Sequence, residues 1–384
     1  MEYRQLGNSG LKVSSLGLGG NNFGWWADEQ ASESVLKTAL DQGINFLDTA
    51  NVYGEGRSEE WIGRAIKGVR SQVIVATKFG FFAGAGPNDR GGSRKHIMQC
   101  VEGSLRRLNT DYIDLLQMHF PDPLTPLGET LRALDDLISA GKIRYIGCSN
   151  FAAWQLTEAL WTAKLHDFNA FVSIQSPYNL LNRQIEQSII PCCLKYGIGV
   201  VTYTPLAAGF LTGKYLEDQN VPPETRLAKV PNWQAFAMTP ERFDTVNRLT
   251  AFASERGHEV SDLAVAWLLA RPAVSTVIAG ATKPEQVLKN VKAVQWKLSP
   301  LEVAEMDRIT GAYIGIGKDG EGSTKAVCPW CEQQTAVRIP DGMVIIKTYR
   351  VEKFPVKPPE DPFLSIETCH ACLAQFCLNL ENCN

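Results

Sequence analysis

Two hydrophobic periodicities alternate along the first three quarters of the chain. Short apolar runs, rich in β-branched residues, are each followed by stretches whose apolar residues recur every three or four positions, as in an amphipathic helix. The segment 93–108 is typical of these helices, because Ser93 is a suitable N-cap and apolar residues from Ile97 to Leu108 fall on one face. Eight runs predict strands: SLGLGG, INFLDTA, VIVATKF, IDLLQMHF, IRYIGCSN, FVSIQSP, GVVTYTP and STVIAG.

The regular alternation of strands and helices favours parallel βα units. Eight such units over about 300 residues fit an α/β fold of the (β/α)8 TIM barrel type. The alternative, an open doubly wound sheet, usually carries GxGxxG between its first strand and a helix. Here the glycine-rich stretch 17–24 is not followed by a helix start, so the barrel is preferred. The opening residues predict a hairpin around Asn8-Ser9-Gly10 that closes the barrel floor.

Composition excludes several classes of function. The 384 residues are 45% hydrophobic and 21% charged, with a net charge of −3, which disfavours binding to nucleic acid or to an anionic membrane through bulk charge. The N-terminus lacks the pattern of a signal peptide, and no run approaches the roughly 18 apolar residues of a membrane span. We therefore expect a soluble, cytoplasmic protein.

Four chemically active side chains follow the predicted strands at their carboxyl ends. Asp48 and Tyr53 follow the second strand, Lys78 ends the third and His119 ends the fourth. Each alone has an ordinary structural explanation as a turn, loop, surface or core residue. In a barrel, however, these ends meet at one face, where active sites lie. A lysine beside a tyrosine favours the phenolate, a carboxylate holds the lysine, and a histidine can polarise a carbonyl group. The set therefore suits protonation of a carbonyl oxygen.

These residues lie in motifs that together resemble the aldo-keto reductases. The motifs are FLDTANVYGEGRSEEWIG, VIVATKFG, LLQMHFPDP, IGCSNF, YTPLAAGFLTGKY and IAGATKPEQVLKN. The resemblance is closest to the bacterial type that includes relatives of potassium-channel β-subunits, and it covers residues 1–312. It implies a catalytic tetrad of Asp48, Tyr53, Lys78 and His119, with Tyr53 as the general acid and NADPH as the usual cofactor.

The resemblance also predicts a cofactor site across several strand ends. The polar groups of Ser149, Asn150 and Gln175 match the needs of a nicotinamide carboxamide, and Tyr203 matches the aromatic residue on which the ring stacks. The last barrel helix begins just after the eighth strand, where its free N–H groups favour phosphate, and Lys283 there favours NADPH over NADH. The other cofactor positions that the resemblance implies are Pro205, Leu206, Lys214, Arg226, Gly280, Thr282, Gln286 and Asn290.

Two further segments are expected near the mouth of the barrel. Trp25 and Trp26, together with Phe81 and Phe82, either form an apolar wall that selects aromatic or medium-sized aldehydes or merely cover the rim. The segment 207–239 is too long for an ordinary connection, and we expect it to close over the cofactor.

The last part of the chain has a different composition. A glycine-rich linker, 313–326, precedes a cysteine-rich module, 327–384. The two CxxC pairs, Cys328 with Cys331 and Cys369 with Cys372, resemble the knuckles of a zinc ribbon, and Asp341-Gly342 between them predicts a hairpin. We predict that these cysteines bind a structural Zn²⁺ ion. The alternatives are rubredoxin-like iron, an iron-sulfur cluster and thiol redox chemistry. His370, Cys377 and Cys383 have no assigned role, and the spacer between the pairs is longer than usual.

The leading hypothesis is an NADPH-dependent oxidoreductase that reduces aldehydes or ketones to alcohols. One alternative is a protein that senses the redox state of NADP and binds a protein partner, or a second copy of itself, through the C-terminal module. The other is an alcohol or sugar dehydrogenase that works in the oxidative direction. The expected partners are a small-molecule carbonyl substrate for the leading hypothesis, and no nucleic acid or membrane.

Overall fold

A computed structural model describes residues 1–215, 221–223, 225–229 and 238–311, together with the backbone of five strands between residues 323 and 382. Within 225–229, the side chains of Arg226 and Lys229 lie outside the description. Contacts divide the chain into two units, Met1–Thr310 and Gly311–Asn384.

The first unit is a closed barrel of eight parallel strands, which confirms the predicted TIM-barrel fold. An antiparallel hairpin precedes it, and the last barrel strand returns to pair with the first. The hairpin strands are β1 (Tyr3–Gln5) and β2 (Lys12–Ser14). The barrel strands are β3 (Leu16–Gly19), β4 (Phe46–Asp48), β5 (Ile74–Phe79), β6 (Ile113–Met118), β7 (Ile143–Ser149), β8 (Ser173–Pro177), β9 (Gly199–Tyr203) and β10 (Val274–Gly280).

Helices follow or flank the barrel strands along the chain. In the described residues they are α1 (Glu29–Asp41), α2 (Arg57–Ala65), α3 (Arg94–Leu108), α4 (Leu127–Ser139), α5 (Ala153–His166), α6 (Ile189–Tyr196), α7 (Arg226–Lys229), α8 (Pro240–Ser254), α9 (Val260–Leu269), α10 (Pro284–Ala293) and α11 (Pro300–Ile309). None of them combines the length and the apolar character needed to cross a bilayer.

Local chemistry explains why α3 begins where it does. The Ser93 side chain accepts a hydrogen bond from the His96 N–H, the N-cap interaction expected from the sequence. Ile97 and Val101, on the apolar face, are fully buried in the core between the helices and the barrel. The predicted cap and face of this helix are therefore confirmed.

The N-terminal hairpin closes the barrel floor, as predicted. Leu6 and Val13 are fully buried and join an apolar cluster that includes the strand residues Phe46, Leu115 and Val201. The turn between β1 and β2 is held by the Leu6 N–H, which donates to the Leu11 carbonyl. Because the floor is sealed with apolar side chains, the opposite, carboxyl face is the one open to a ligand.

The second unit contains five described strands in two antiparallel sheets. Strand β11 (Ser323–Val327) pairs with β12 (Gln334–Arg338), while β13 (Met343–Arg350) and β14 (Leu364–Thr368) flank β15 (Gln375–Asn382). Strand β11 begins inside the segment expected to be linker.

The prediction that the strands flanking Asp341-Gly342 pair with each other as a hairpin is wrong. The strands on either side of this dipeptide, β12 and β13, each pair with another strand, β11 and β15 respectively. The eight-residue β13 matches the eight-residue β15 in length, so the longer ladder prevails over the local turn signal. The four cysteines predicted to bind zinc, Cys328, Cys331, Cys369 and Cys372, lie outside the described residues.

Candidate active site

The four residues predicted as a tetrad meet at the carboxyl end of the barrel. Asp48 is the last residue of β4, Lys78 lies near the end of β5, and His119 directly follows β6. The Lys78 Nζ lies 2.8 Å from each carboxylate oxygen of Asp48 and 2.8 Å from the Thr49 carbonyl oxygen. The Lys78 ammonium is fully buried, so its three hydrogen bonds replace the water it has lost.

Tyr53 lies over this ion pair. The Lys78 Nζ is 5.0 Å from the centre of the Tyr53 ring, and the His119 ring meets that ring edge-on at 5.8 Å between centroids. Burial lowers the pKa of Lys78, but the negative charge of Asp48 and the Tyr53 hydroxyl raise it, and the net pKa lies above its usual value. The lysine is therefore a fixed positive charge beside a phenol.

His119 is neutral in this environment. Burial, together with the nearby Lys78 charge, lowers the pKa of His119 to about 3. Its Nδ1 is buried and has no hydrogen-bond partner among the described residues, whereas its backbone carbonyl accepts from the Asn150 side-chain amide at 3.0 Å. A neutral imidazole with a buried, unpaired nitrogen can bind a ligand oxygen but cannot supply a proton as an imidazolium ion near pH 7.

The turn that carries Tyr53 depends on glycine. Tyr53–Gly56 form a short 3₁₀ segment in which Gly54 has a φ of 57°. A Cβ atom at Gly54 would lie 2.4 Å from the Phe23 carbonyl oxygen, because the turn after β3 packs directly against it. This close approach joins the loops that follow β3 and β4, and it fixes the position of the tyrosine.

The residues predicted to bind the nicotinamide form a hydrogen-bonded group at neighbouring strand ends. The Tyr203 hydroxyl donates to the Asn150 Oδ1 at 2.8 Å, and the Asn150 amide donates to the Ser149 hydroxyl at 3.1 Å. Asn150 has a φ of 61°, a left-handed conformation that asparagine tolerates better than most residues. Gln175 has a second partner that sequence reasoning missed, since its Nε2 donates to the Asp48 Oδ1 at 2.7 Å.

The loop after β9 has an unusual backbone. Thr204, Ala207 and Ala208 all have positive φ angles, between 48° and 56°. Pro205 is buried and Leu206 partly buried within this loop. Three non-glycine residues in left-handed conformations within five positions are costly for stability. Such strain is typical of a functional site.

The predicted phosphate-binding residues lie in two places. Lys214 is exposed, with its ammonium 5.1 Å from the centre of the Tyr215 ring, and Arg226 begins α7 with its side chain outside the described residues. The others surround the start of α10: Gly280, Thr282, Lys283, Gln286 and Asn290.

The N-terminus of α10 lacks a side-chain cap. Lys283 occupies the cap position, and its exposed side chain makes no capping hydrogen bond and no ion pair with another described residue. The Thr282 N–H and hydroxyl both donate to the Gln286 Oε1, at 2.7 and 3.3 Å, which fixes the entry to the helix. Uncapped N–H groups beside a free ammonium are suited to an anion.

Aromatic side chains line one side of the mouth. Phe81 lies 5.7 Å from the His119 ring and 5.7 Å from the Phe120 ring, and Phe120 stacks on His119 at 5.1 Å with an angle of 15°. Phe82 meets Phe81 edge-on at 5.8 Å. Phe81 and Phe120 are each 42% exposed, so this aromatic face is open to a ligand beside the histidine.

The two tryptophans contact each other beside the turn after β3. Trp25 and Trp26 meet edge-on at 6.3 Å and are 62% and 37% exposed. They follow Gly24, whose turn packs against Gly54 and hence beside the segment of Tyr53. The structure thus brings them to the same rim as the tyrosine turn, and Phe81 contacts the tetrad directly through the His119 ring.

Sequence reasoning missed two residues of this site. Phe120 adjoins His119 in the sequence, so its proximity could have been inferred from that neighbour. Gln117 is fully buried in β6, with its Cα opposite that of Lys78, and its amide donates to the Asp48 Oδ1 at 3.4 Å. The available signal was a glutamine within an otherwise apolar buried strand, a pattern that indicates a hydrogen-bonded interior.

Comparisons with known proteins agree with this geometry. Residues 15–310 match the model of the aldo/keto reductase family. The chain is 42% identical over 302 residues to a probable voltage-gated potassium channel subunit beta of Oryza sativa subsp. japonica, covering 77% of this chain and 91% of the relative. It is also 38% identical over 316 residues to the aldo-keto reductase YhdN of Bacillus subtilis, covering 80% of this chain and 93% of that protein. The chain therefore belongs to the aldo/keto reductase family, whose members are oxidoreductases.

Proposed function

We propose that the protein reduces aldehydes or ketones to alcohols with NADPH, and that Tyr53 donates the proton. The observation that carries this proposal is the fully buried Lys78, which is held by Asp48 and lies beside the Tyr53 ring. A permanent positive charge at this point stabilises the phenolate that remains after the proton has left.

The protonation states support tyrosine as the donor. His119, with a pKa of about 3, carries no proton to give as an acid near pH 7. The raised pKa of Lys78 and its three acceptors make it a poor proton donor. Tyr53 is the remaining member of the tetrad with an acidic hydrogen, and the neutral His119 can orient the carbonyl oxygen towards it.

The residues around the site fit a nicotinamide dinucleotide. The uncapped start of α10 and the free Lys283 suit a phosphate group, and they support NADPH over NADH. The hydrogen-bonded group of Ser149, Asn150 and Tyr203 offers hydroxyl and amide partners at the tetrad end. When bound there, the cofactor would supply the hydride that the carbonyl carbon accepts.

The aromatic face beside His119 favours substrates with an apolar substituent. Phe81 and Phe120 flank His119, so a carbonyl group bound to the histidine would place its substituent against their rings. Aromatic and medium-sized apolar aldehydes gain most binding energy from such a surface.

We therefore expect Phe120→Ala to raise KM for benzaldehyde-type substrates more than for short aliphatic aldehydes.

Replacement of Tyr53 by phenylalanine tests the mechanism. We expect Tyr53→Phe to lower kcat by at least about a hundredfold, the usual contribution of an acid catalyst, while the Kd for NADPH measured by tryptophan fluorescence stays unchanged. Tyr112→Phe is the matched control, because Tyr112 lies just before β6, at the floor end of the barrel. Full turnover in Tyr53→Phe would rule out the tyrosine as the acid.

A second candidate function rests on the relatives named as potassium channel subunits. In this reading the barrel senses the NADP redox state and the C-terminal unit binds a protein partner or a second copy, with zinc held by Cys328, Cys331, Cys369 and Cys372. The two CxxC pairs support the zinc site, while the spacer between them is longer than in known zinc ribbons. A panel of aldehydes assayed for NADPH oxidation separates the two functions, since a sensor would turn over no member of the panel. The same assay with alcohols and NADP⁺ tests the oxidative direction.

A further inference from the structure

Three polar side chains come from alternate strands of the barrel interior. Asp48 lies on β4, Gln117 on β6 and Gln175 on β8, and they are 4%, 0% and 3% exposed. Interior layers of a TIM barrel are built from alternate strands, usually with branched apolar residues. Two amides and a carboxylate in such buried positions must therefore hydrogen-bond with one another.

The amides converge on a single oxygen of the tetrad carboxylate. The Nε2 atoms of Gln175 and Gln117 lie 2.7 and 3.4 Å from the Asp48 Oδ1, and the Gln175 Nε2 is also 3.5 Å from the Gln117 Oε1. The strand between them has a glycine at this level. Gly147 lies opposite Gln117 in the barrel register, and a Cβ atom there would lie 2.6 Å from the Ser173 hydroxyl and in ordinary contact, at 3.5 Å, with the Gln117 side chain.

We propose that Gln117 is a positioning residue for proton transfer: together with Gln175 it turns Asp48 so that both carboxylate oxygens face Lys78, and it offsets part of the carboxylate charge that Tyr53 experiences. This inference rests on the proposed function for the role of Tyr53 as the proton donor. It assigns a task to a residue that the tetrad does not include and for which the family resemblance implies no role. It also gives Gln175 a role beyond the cofactor contact predicted for it.

The charged and titratable groups around Tyr53 come from several strands. They are Asp48 and Lys78, the neutral His119, and Tyr203, whose own pKa is raised to about 12 by burial and by Tyr53. Gln117 is itself uncharged, so its replacement alters the field at Tyr53 only through dipoles and through Asp48. Replacement of Gln117 is therefore expected to raise the titration midpoint of Tyr53 by a modest amount.

The test measures the ionisation of Tyr53 without turnover. Ultraviolet difference titration of the full-length protein, with Tyr53→Phe subtracted in each background, follows this one phenolate. Gln117→Met removes the donated hydrogen bond at nearly constant volume, which makes the surroundings of Tyr53 more negative and should raise its titration midpoint by about half a pH unit or more. Gln117→Glu has the same shape but adds a negative charge, so it should raise the midpoint further. The alkaline limb of kcat/KM for carbonyl reduction should move in the same order.

Two controls separate positioning from a merely structural role. Ser173→Ala removes a buried hydroxyl on β8 that has no hydrogen-bond partner among the described residues, so it should leave the midpoint unchanged. In an Asp48→Asn background, Gln117→Met should shift the Tyr53 midpoint by less than half as much as in the wild type, because most of its effect passes through the carboxylate. The Kd for NADPH should stay unchanged in Gln117→Met and rise in Gln175→Met.

Midpoints identical to the wild type in both Gln117→Met and Gln117→Glu would overturn the inference, as would an equal shift in the Asp48→Asn background. A wild-type protein that reduces no carbonyl compound would instead refute the proposed function. The titration still decides the role of Gln117 in that case, because it needs no substrate.

Discussion

At the residue scale, His119 and Lys78 show how burial and charge act together on ionisation. Burial disfavours the charged form of both side chains, but only Lys78 has a carboxylate to compensate it, so the lysine remains charged and the histidine neutral. The Lys78 charge further lowers the pKa of His119. The two residues therefore have opposite protonation states within one site.

This difference predicts that the protonation state of His119 does not change with pH in the neutral range. In the folded protein, NMR signals of the His119 imidazole should not titrate between about pH 5 and 8, whereas an ordinary histidine does. In Lys78→Met the pKa of His119 should rise, because one of the two causes of its lowering is removed, while burial remains. His258→Gln is a suitable assignment control, since His258 lies elsewhere, stacked on Trp296. A wild-type His119 midpoint near 6.5 would contradict the neutral-imidazole assignment.

The tetrad was predictable because its chemistry is visible at strand ends. Asp48, Lys78 and His119 interrupt or close apolar runs, and barrel geometry brings such ends together. Gln117 lies inside a strand, and its partner Gln175 is 58 residues away. A pairing of that kind depends on strand order and register, which a single sequence does not supply.

At the element scale, the tyrosine turn is coupled to the turn after β3 by the contact between Gly54 and Phe23. Gly54→Ala should destabilise the fold by about 1–3 kcal/mol, because alanine disfavours a positive φ and its Cβ would overlap the Phe23 carbonyl. Activity should fall further than stability alone explains, since Tyr53 adjoins the strained residue.

Thermal unfolding and kcat measured on the same preparations check this prediction. Gly68→Ala is the matched control, because no atom lies within 4 Å of the position a Cβ would take there and its φ is not in the left-handed region. If Gly54→Ala and Gly68→Ala had equal melting temperatures and equal kcat, the coupling between the two turns would be unimportant.

The barrel elements were easier to predict than the C-terminal ones for a physical reason. Each barrel strand is a buried apolar run between amphipathic helices, so its period and position are both marked in the sequence. Strand β13 is also β-branched, but its partner β15 lies more than twenty residues farther along and is not signalled by any local turn. The Asp341-Gly342 signal was local, and the long-range pairing replaced it.

At the scale of the whole molecule, the division at Thr310 coincides with the end of the family match at residue 310. All four tetrad residues and every predicted cofactor residue belong to the first unit. The proposed chemistry is therefore expected to depend on side chains of this unit.

A chain that ends at Thr310 tests this separation. Because the tetrad, the aromatic face and the start of α10 all remain, its kcat/KM for aldehyde reduction should stay within about twofold of the full chain. Elemental analysis of the two purified proteins should find about one zinc ion per full-length chain and none in the shortened one, as four thiolates would provide a closed structural site. Cys328→Ser in the full chain should lose the metal and leave reduction unchanged, since no tetrad residue lies in that unit. Loss of reduction in the shortened chain, with its melting transition intact, would instead mean that the C-terminal unit contributes to catalysis.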